Sequence, residues 1–146
     1  MYKQNEGRIK MPKATQLKHY RINSLELINQ PRQNGAMQLE NKFSYNVKYS
    51  ENKSCLAELN VAVSDKANPE LFSIKLVIIG IFDLLDAGKN DRYTVHYETY
   101  RTMFAHAQAA ITQVTALSGI APVILPEIDI ENQEIYQVKL PNSDKK

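Results

Sequence analysis

Few side chains in this 146-residue chain could carry chemistry: three histidines, one cysteine, and a group of aspartates beside Gly88-Lys89. His96 and His106 stand ten residues apart on a stretch of helical period, whereas a helical zinc site needs an i, i+4 pair on one face. His19 lies at the entrance of a strand-like run. All three read as solvated or hydrogen-bonded imidazoles. Cys55 falls on the inward face of another such run with no base beside it. A nucleophilic thiol needs a neighbouring base and a lowered pKa, so Cys55 reads as a small buried apolar residue. Asp83, Asp86 and Asp91 lack the spacing of a calcium loop, and Gly88-Lys89 lacks the first glycine and the following hydroxyl of a phosphate loop. They read as loop solvation and as negative charge for a helix N-terminus. No catalytic residue, metal site or cofactor is expected, and the chain reads as a binding protein rather than an enzyme.

The elements that would position a binding surface follow from periodicity. Residues 1–16 are polar, hold Gly7 and Pro12, and read as a flexible basic lead-in. From Leu17 to Ile28 the pattern is strand-like. Tyr20 and Ile22 share a face, and Leu25 and Leu27 continue it one residue out of step, as a β-bulge at Asn23–Ser24 allows. Pro31 to Gly35 is a turn cluster. Phe43, Tyr45, Val47 and Tyr49 alternate with polar residues, as do Cys55, Ala57, Leu59, Val61 and Val63, with Glu51–Asn52 between the two runs as a hairpin turn. A fourth run, Leu71 to Phe82, carries Phe72, Ile74, Leu76 and Ile78 on one face. Its other face begins with Ser73 and Lys75 and turns apolar at Val77, Ile79 and Ile81, which predicts cover on both sides by the helix or another subunit. Three connections of hairpin length in series predict an antiparallel sheet.

After the 86–91 loop the period changes. Tyr97, Tyr100, Phe104, Ala107, Ile111, Val114 and Ser118 are spaced three and four apart, the seam of one long helix that Met103, Ala110 and Leu117 widen. Gly119 is placed to end it, and Pro122 prevents its resumption. Val123 to Pro126 reads as extended chain, Glu131 to Leu140 as a short helix or a strand, and 141–146 as a disordered tail.

Composition sets the class. Hydrophobic residues make up 43% of the chain and charged residues 23%, enough for a core and inconsistent with wholesale disorder. A lone cysteine excludes an internal disulfide and any multi-cysteine metal site. The N-terminus has no apolar stretch behind its basic residues, and the longest nearly apolar run, Leu76 to Leu85, is far short of the roughly 20 residues of a membrane helix. A cytoplasmic protein with one domain at residues 17–140 is expected. The net charge of +2 divides into +5 over residues 1–32 and −3 over the remainder. The basic charges are dispersed and lack interleaved aromatic residues, so they read as a solvated tail and not as a nucleic-acid site. One helix cannot cover both faces of a four-stranded sheet. The excess apolar surface therefore predicts self-association or an apolar partner such as extended polypeptide.

The order of elements and three motifs resemble the SecB family of protein-export chaperones over roughly residues 17–132. Gly80-Ile81-Phe82 is similar to the family's strand end ahead of its loop and long helix. Met103-Phe104-Ala105-His106-Ala107-Gln108-Ala109-Ala110-Ile111 is similar to its Leu-Phe-Pro-Tyr-Ala-Arg-Glu segment. Gly119-Ile120-Ala121-Pro122 and Leu125-Pro126-Glu127-Ile128-Asp129-Ile130 are similar to its glycine-aromatic-proline turn and Leu-Pro-Pro-Ile-Asn-Phe segment. Ala105, His106 and Gln108 stand where the family has proline, tyrosine and arginine, so the packing role of the helix is what carries over. Proteobacterial members dock the export motor ATPase through an acidic surface and tail. This chain ends in Lys145-Lys146, closer to SecB-like chaperones of toxin–antitoxin systems, and that docking is not carried over.

The expected fold is α+β: a four-stranded antiparallel sheet packed by one long α-helix, with an extended C-terminal arm. The resemblance implies a homodimer or tetramer that holds unfolded or pre-export polypeptide without ATP. The expected groove is lined by Phe72, Ile74, Leu76, Ile78, Phe82, Val123, Ile124 and Leu125. The expected oligomer interface is the helix seam of Tyr97, Tyr100, Phe104, Ala107, Ile111 and Val114. An assembly protein, or a chaperone of one antitoxin client, is the alternative.

Overall fold

Alternation of apolar and polar residues organises the chain into strands, and the most evenly apolar of them take the centre. The computed structural model describes residues 13–31, 36–85 and 92–126. Strands β1 (Thr15–Asn29), β2 (Leu39–Tyr49), β3 (Ser54–Asp65) and β4 (Phe72–Leu84) precede one helix, α1 (Arg92–Leu117). The strands form one antiparallel sheet in the order β1-β4-β3-β2. Only β2–β3 and β3–β4 are hairpins. The first connection, expected to be a hairpin, instead joins the two edges of the sheet, so β1 pairs with β4 in a Greek-key order. Local pattern could not reveal this, because either edge would bury the same faces.

The β2–β3 turn falls where expected. Ser50 N–H donates to Ser54 C=O at 2.9 Å, and Lys53 takes the left-handed conformation at φ 55°. β1 begins at Thr15, with Ala14 already fully buried, so the last residues of the expected lead-in are part of the fold. Its pairing shifts register at two places, Leu17/His19 and Ile22/Ser24. The second is the expected bulge. Across it Ile22 and Leu25, three residues apart, oppose Ile78 and Leu76, two apart, so both stay on one face of the sheet.

That face carries the core. Cys55, Ala57, Leu59, Val61 and Val63 of β3, and Phe72, Ile74, Leu76, Ile78 and Phe82 of β4, are at most 2% exposed beneath the helix. Each large side chain so buried stabilises the fold by about 1.5–3 kcal/mol. The helix contributes Val95, Tyr100, Met103, Phe104, Ala107 and Ile111. It comes close at Gly80, where a Cβ would lie 2.6 Å from Met103 Sδ. Gly119, at φ +93°, ends the helix in the left-handed conformation expected of it. The opposite face of the sheet has no second layer among the described residues. There Val77 and Ile79 are half-buried by sheet neighbours, and Ile81 is 38% exposed.

Candidate polypeptide-binding site

The helix does not close the sheet evenly. Over β2, Tyr45 is buried edge-on against Tyr100, with ring centroids 5.1 Å apart, and Phe43 meets Phe104 at 5.9 Å. Over β1, His106 stacks on Tyr20 at 4.0 Å with the planes 23° apart. The pairing of β1 with β4 puts Leu17, Tyr20, Ile22, Leu25 and Leu27 on the helix-facing side. Leu17 and Leu27 are half-buried, but Tyr20, Ile22 and Leu25 are 40–43% exposed. β1 is also an outermost strand, so one row of its backbone groups faces no strand of the described chain. An apolar strip beside an open strand edge offers an extended polypeptide both side-chain contact and backbone hydrogen bonds. Spacing in the sequence did place Tyr20 and Ile22 together. What it could not show is that the helix leaves both partly exposed, although His106 reaches Tyr20.

At the other end of β1, Glu98 of α1 holds the strand's first residues. Its Oε1 accepts from Ala14 N–H (3.1 Å), Thr15 N–H (3.0 Å) and the Thr15 hydroxyl (2.8 Å). Next to this contact lies an open depression of about 680 Å³ lined by Lys13, Leu17, Phe82, Tyr97, Arg101 and Thr102, among others. Deeper in, the hydroxyls of Tyr45 and Thr99 are hydrogen-bonded. Thr99 gives its only proton to Val95 C=O at 2.8 Å, so Tyr45 is the donor to Thr99. Burial raises the pKa of Tyr45 well above its usual value. Burial likewise pushes Tyr100 up to about 12 and Cys55 up to about 11. A thiol so placed is protonated at neutral pH and is a poor nucleophile. No group of three His, Cys, Asp or Glu side chains among the described residues could hold a metal ion.

After Gly119 the chain turns back along the helix. Val123 N–H donates to Thr115 Oγ1 (2.8 Å), Thr112 Oγ1 donates to Val123 C=O (2.9 Å), and Gln108 Nε2 donates to Leu125 C=O (2.7 Å). Val123 and Leu125 are buried, and Ile124 between them is 72% exposed, the alternation of an extended strand.

These contacts correct both expected residue sets. Phe72, Ile74, Leu76, Ile78 and Phe82 do not line an open groove, because α1 lies on them and each is at most 1% exposed. Val123 and Leu125 sit inside the fold against the helix, and Ile124 points outward. The helix seam is also consumed internally: Tyr100, Phe104, Ala107 and Ile111 are buried against the sheet, leaving Tyr97 and Val114 half-buried. The physical reason is common to both sets. The apolar face of β3 and β4 and the apolar seam of α1 are each other's partners.

No protein-family model matches the chain, and neither does any curated protein. A solved structure does. The Mycobacterium tuberculosis SecB-like chaperone Rv1957, in complex with a ChAD peptide from the antitoxin HigA1, superposes with a TM-score of 0.61. The match covers 80% of this chain and 91% of that one at 10% sequence identity. The fold is SecB-like. The sheet order, the long helix and the extended segment behind it are therefore a known architecture carried by a divergent sequence. The Gly80-Ile81-Phe82 motif has a local reason as well. Gly80 gives Met103 room to approach the sheet, while Phe82, two residues on, belongs to the same buried face.

Proposed function

We propose that the protein is a polypeptide-binding chaperone that holds extended, apolar segments of unfolded or pre-export clients without ATP, and that it acts in the cytoplasm. One observation carries the reading: a SecB-like fold whose outermost strand leaves Tyr20, Ile22 and Leu25 exposed along an open edge. No residue has to perform chemistry in this mechanism. Burial of client side chains supplies affinity, and several weak contacts along one client slow its release. The complex of the mycobacterial neighbour with an antitoxin peptide favours a dedicated client over a general one. A homodimer or tetramer multiplies the contacts by presenting the strip more than once to a single client. The second reading, an assembly protein, rests on the same strip: self-association would consume Tyr20, Ile22 and Leu25.

The test is aggregation of a reduced, denatured protein followed by light scattering, with native mass measured in parallel. A chaperone suppresses scattering near stoichiometric ratios. Unchanged aggregation at several-fold molar excess, together with a stable oligomer, leaves the assembly reading. Purification from the native host with one stoichiometric companion identifies a dedicated client.

A further inference from the structure

The segment from Pro122 to Pro126 lies on α1 in the manner of a bound peptide. Its backbone is held entirely by side chains of the helix: Thr115 accepts from Val123 N–H, and Thr112 and Gln108 donate to the carbonyls of Val123 and Leu125. Among the described residues no backbone–backbone hydrogen bond ties 120–126 to the rest of the fold. Pro122 and Pro126 lack N–H groups and keep this stretch out of helix and strand ladders alike.

The geometry is periodic. Gln108 and Thr112 are one i, i+4 step apart, about 6 Å along the helix. The two carbonyls they hold belong to alternate residues of an extended chain, about 6.6 Å apart. The two repeats nearly coincide, so the helix can grip any extended chain by its carbonyls, independent of side-chain identity. The alternate side chains, Val123 and Leu125, enter the same buried cluster as Phe104 and Ile111, while Ile124 faces solvent. The site therefore asks for an extended segment with apolar residues at i and i+2 and tolerates any residue between them.

We infer that residues 122–126 are a resident occupant of a polypeptide groove along α1, and that a client segment of that pattern exchanges with them. The inference rests on the chaperone reading and specifies how a client is gripped. Two side chains and three hydrogen bonds hold the strap. A client that also reaches the β1 strip makes more contacts and can displace it.

The test pins the strap in the full chain. In a Cys55→Ala background, Thr115→Cys with Val123→Cys joins helix and strap by a disulfide, and the oxidised and reduced forms are compared on one preparation. The probes are a fluorescent octapeptide with the sequence of residues 119–126, read by anisotropy, and a reduced, carboxymethylated unfolded protein. The reduced form is expected to bind the peptide at least about tenfold more tightly than the oxidised form. The full chain with Val123→Ser and Leu125→Ser, whose strap is loosened, is expected to bind it more tightly than the unsubstituted protein. Should the unsubstituted protein capture the unfolded protein while neither locking nor loosening changes peptide binding, the strap is a fixed part of the core and the inference is overturned. Failure of the unsubstituted protein to capture unfolded protein overturns the chaperone reading itself.

Discussion

One carboxylate oxygen of Glu98 accepts both the N–H and the hydroxyl of Thr15, at 3.0 and 2.8 Å, and so fastens the first residue of β1 to the second turn of the helix. The pairing spans 83 positions in sequence and closes the fold at the end where β1 pairs with β4. Hydrogen bonds to a charged acceptor contribute about 1.5–3 kcal/mol each when removal leaves the donors dry, and less at a half-buried site such as this one. Glu98→Ala is expected to destabilise the protein by about 1–3 kcal/mol in urea unfolding. Glu98→Gln should cost less, because its amide oxygen still accepts. Hydrogen exchange localises the effect: the amides of Ala14 and Thr15 should lose protection before those of β3.

Gly80 and Met103 bring helix and sheet close together. A methyl group on residue 80 would meet Met103 Sδ at 2.6 Å and the Phe82 ring at 3.2 Å. Gly80→Ala is therefore expected to cost about 1–3 kcal/mol through overpacking, reduced because the Met103 side chain can bend away. Met103→Ala alone leaves a cavity and costs about 2–5 kcal/mol. The double variant should cost less than the sum by at least about 0.5 kcal/mol, since the new methyl fills part of the cavity. Thermal unfolding of the four proteins reads the coupling, and strict additivity would show that the two residues do not meet.

The strands were legible because each carries a simple period, and even the irregular β1 announced one of its two bulges through the step between Ile22 and Leu25. The helix was legible at Tyr100, Phe104, Ala107 and Ile111, yet Thr99 and Thr115 are just as buried. An apolar count misses them because they enter the core by returning their hydroxyls to the helix, Thr99 to Val95 C=O and Thr115 to Ile111 C=O. The site was less legible. Pattern shows which residues are apolar, not which apolar faces find each other, and the strongest candidates, Phe72 to Phe82, are strongest because they form the core. The exposed strip of Tyr20, Ile22 and Leu25 depends on where the helix ends sideways, which is a property of the assembled fold.

Tyr45 and Tyr100 are neighbouring buried phenols with opposite hydrogen-bond fates. Tyr45 donates to Thr99, whereas the Tyr100 hydroxyl is buried with no hydrogen-bond partner among the described residues. Tyr45→Phe should cost about 0.5–1.5 kcal/mol, and Tyr100→Phe should be neutral or stabilising because it removes an unsatisfied group. The folded protein also keeps its protons where the unfolded chain loses them. Cys55 titrates near 11 against 9.0 unperturbed, and Tyr100 near 12 against 10.0. Stability is thus full below about pH 9 and falls as pH rises through 11 to 12. Urea midpoints measured from pH 8 to 12 should decline over that window, less steeply in Tyr100→Phe, and a thiol reagent at pH 8 should modify Cys55 only as fast as the protein opens.

The β1 strip separates folding from binding. Tyr20, Ile22 and Leu25 are 40–43% exposed, so each is buried only in part, and Ile22→Ser with Leu25→Ser should lower stability by about 2–3 kcal/mol, less than the loss of two core residues. Their main expected effect lies elsewhere. If the strip holds clients, the double variant folds with unchanged circular dichroism but loses most of its capacity to suppress aggregation, at an unaltered native mass. If the strip is consumed by self-association, the native mass falls instead. Tyr20→Ala probes the same surface from its helix end, where the ring stacks on His106 at 4.0 Å. It should weaken client capture while leaving the buried pair Tyr45 and Thr99 intact, visible as an unchanged near-ultraviolet tyrosine signal from the core. A variant set that keeps both full holding activity and native mass would remove this edge from the binding surface and leave the helix-borne groove as the place where clients are held.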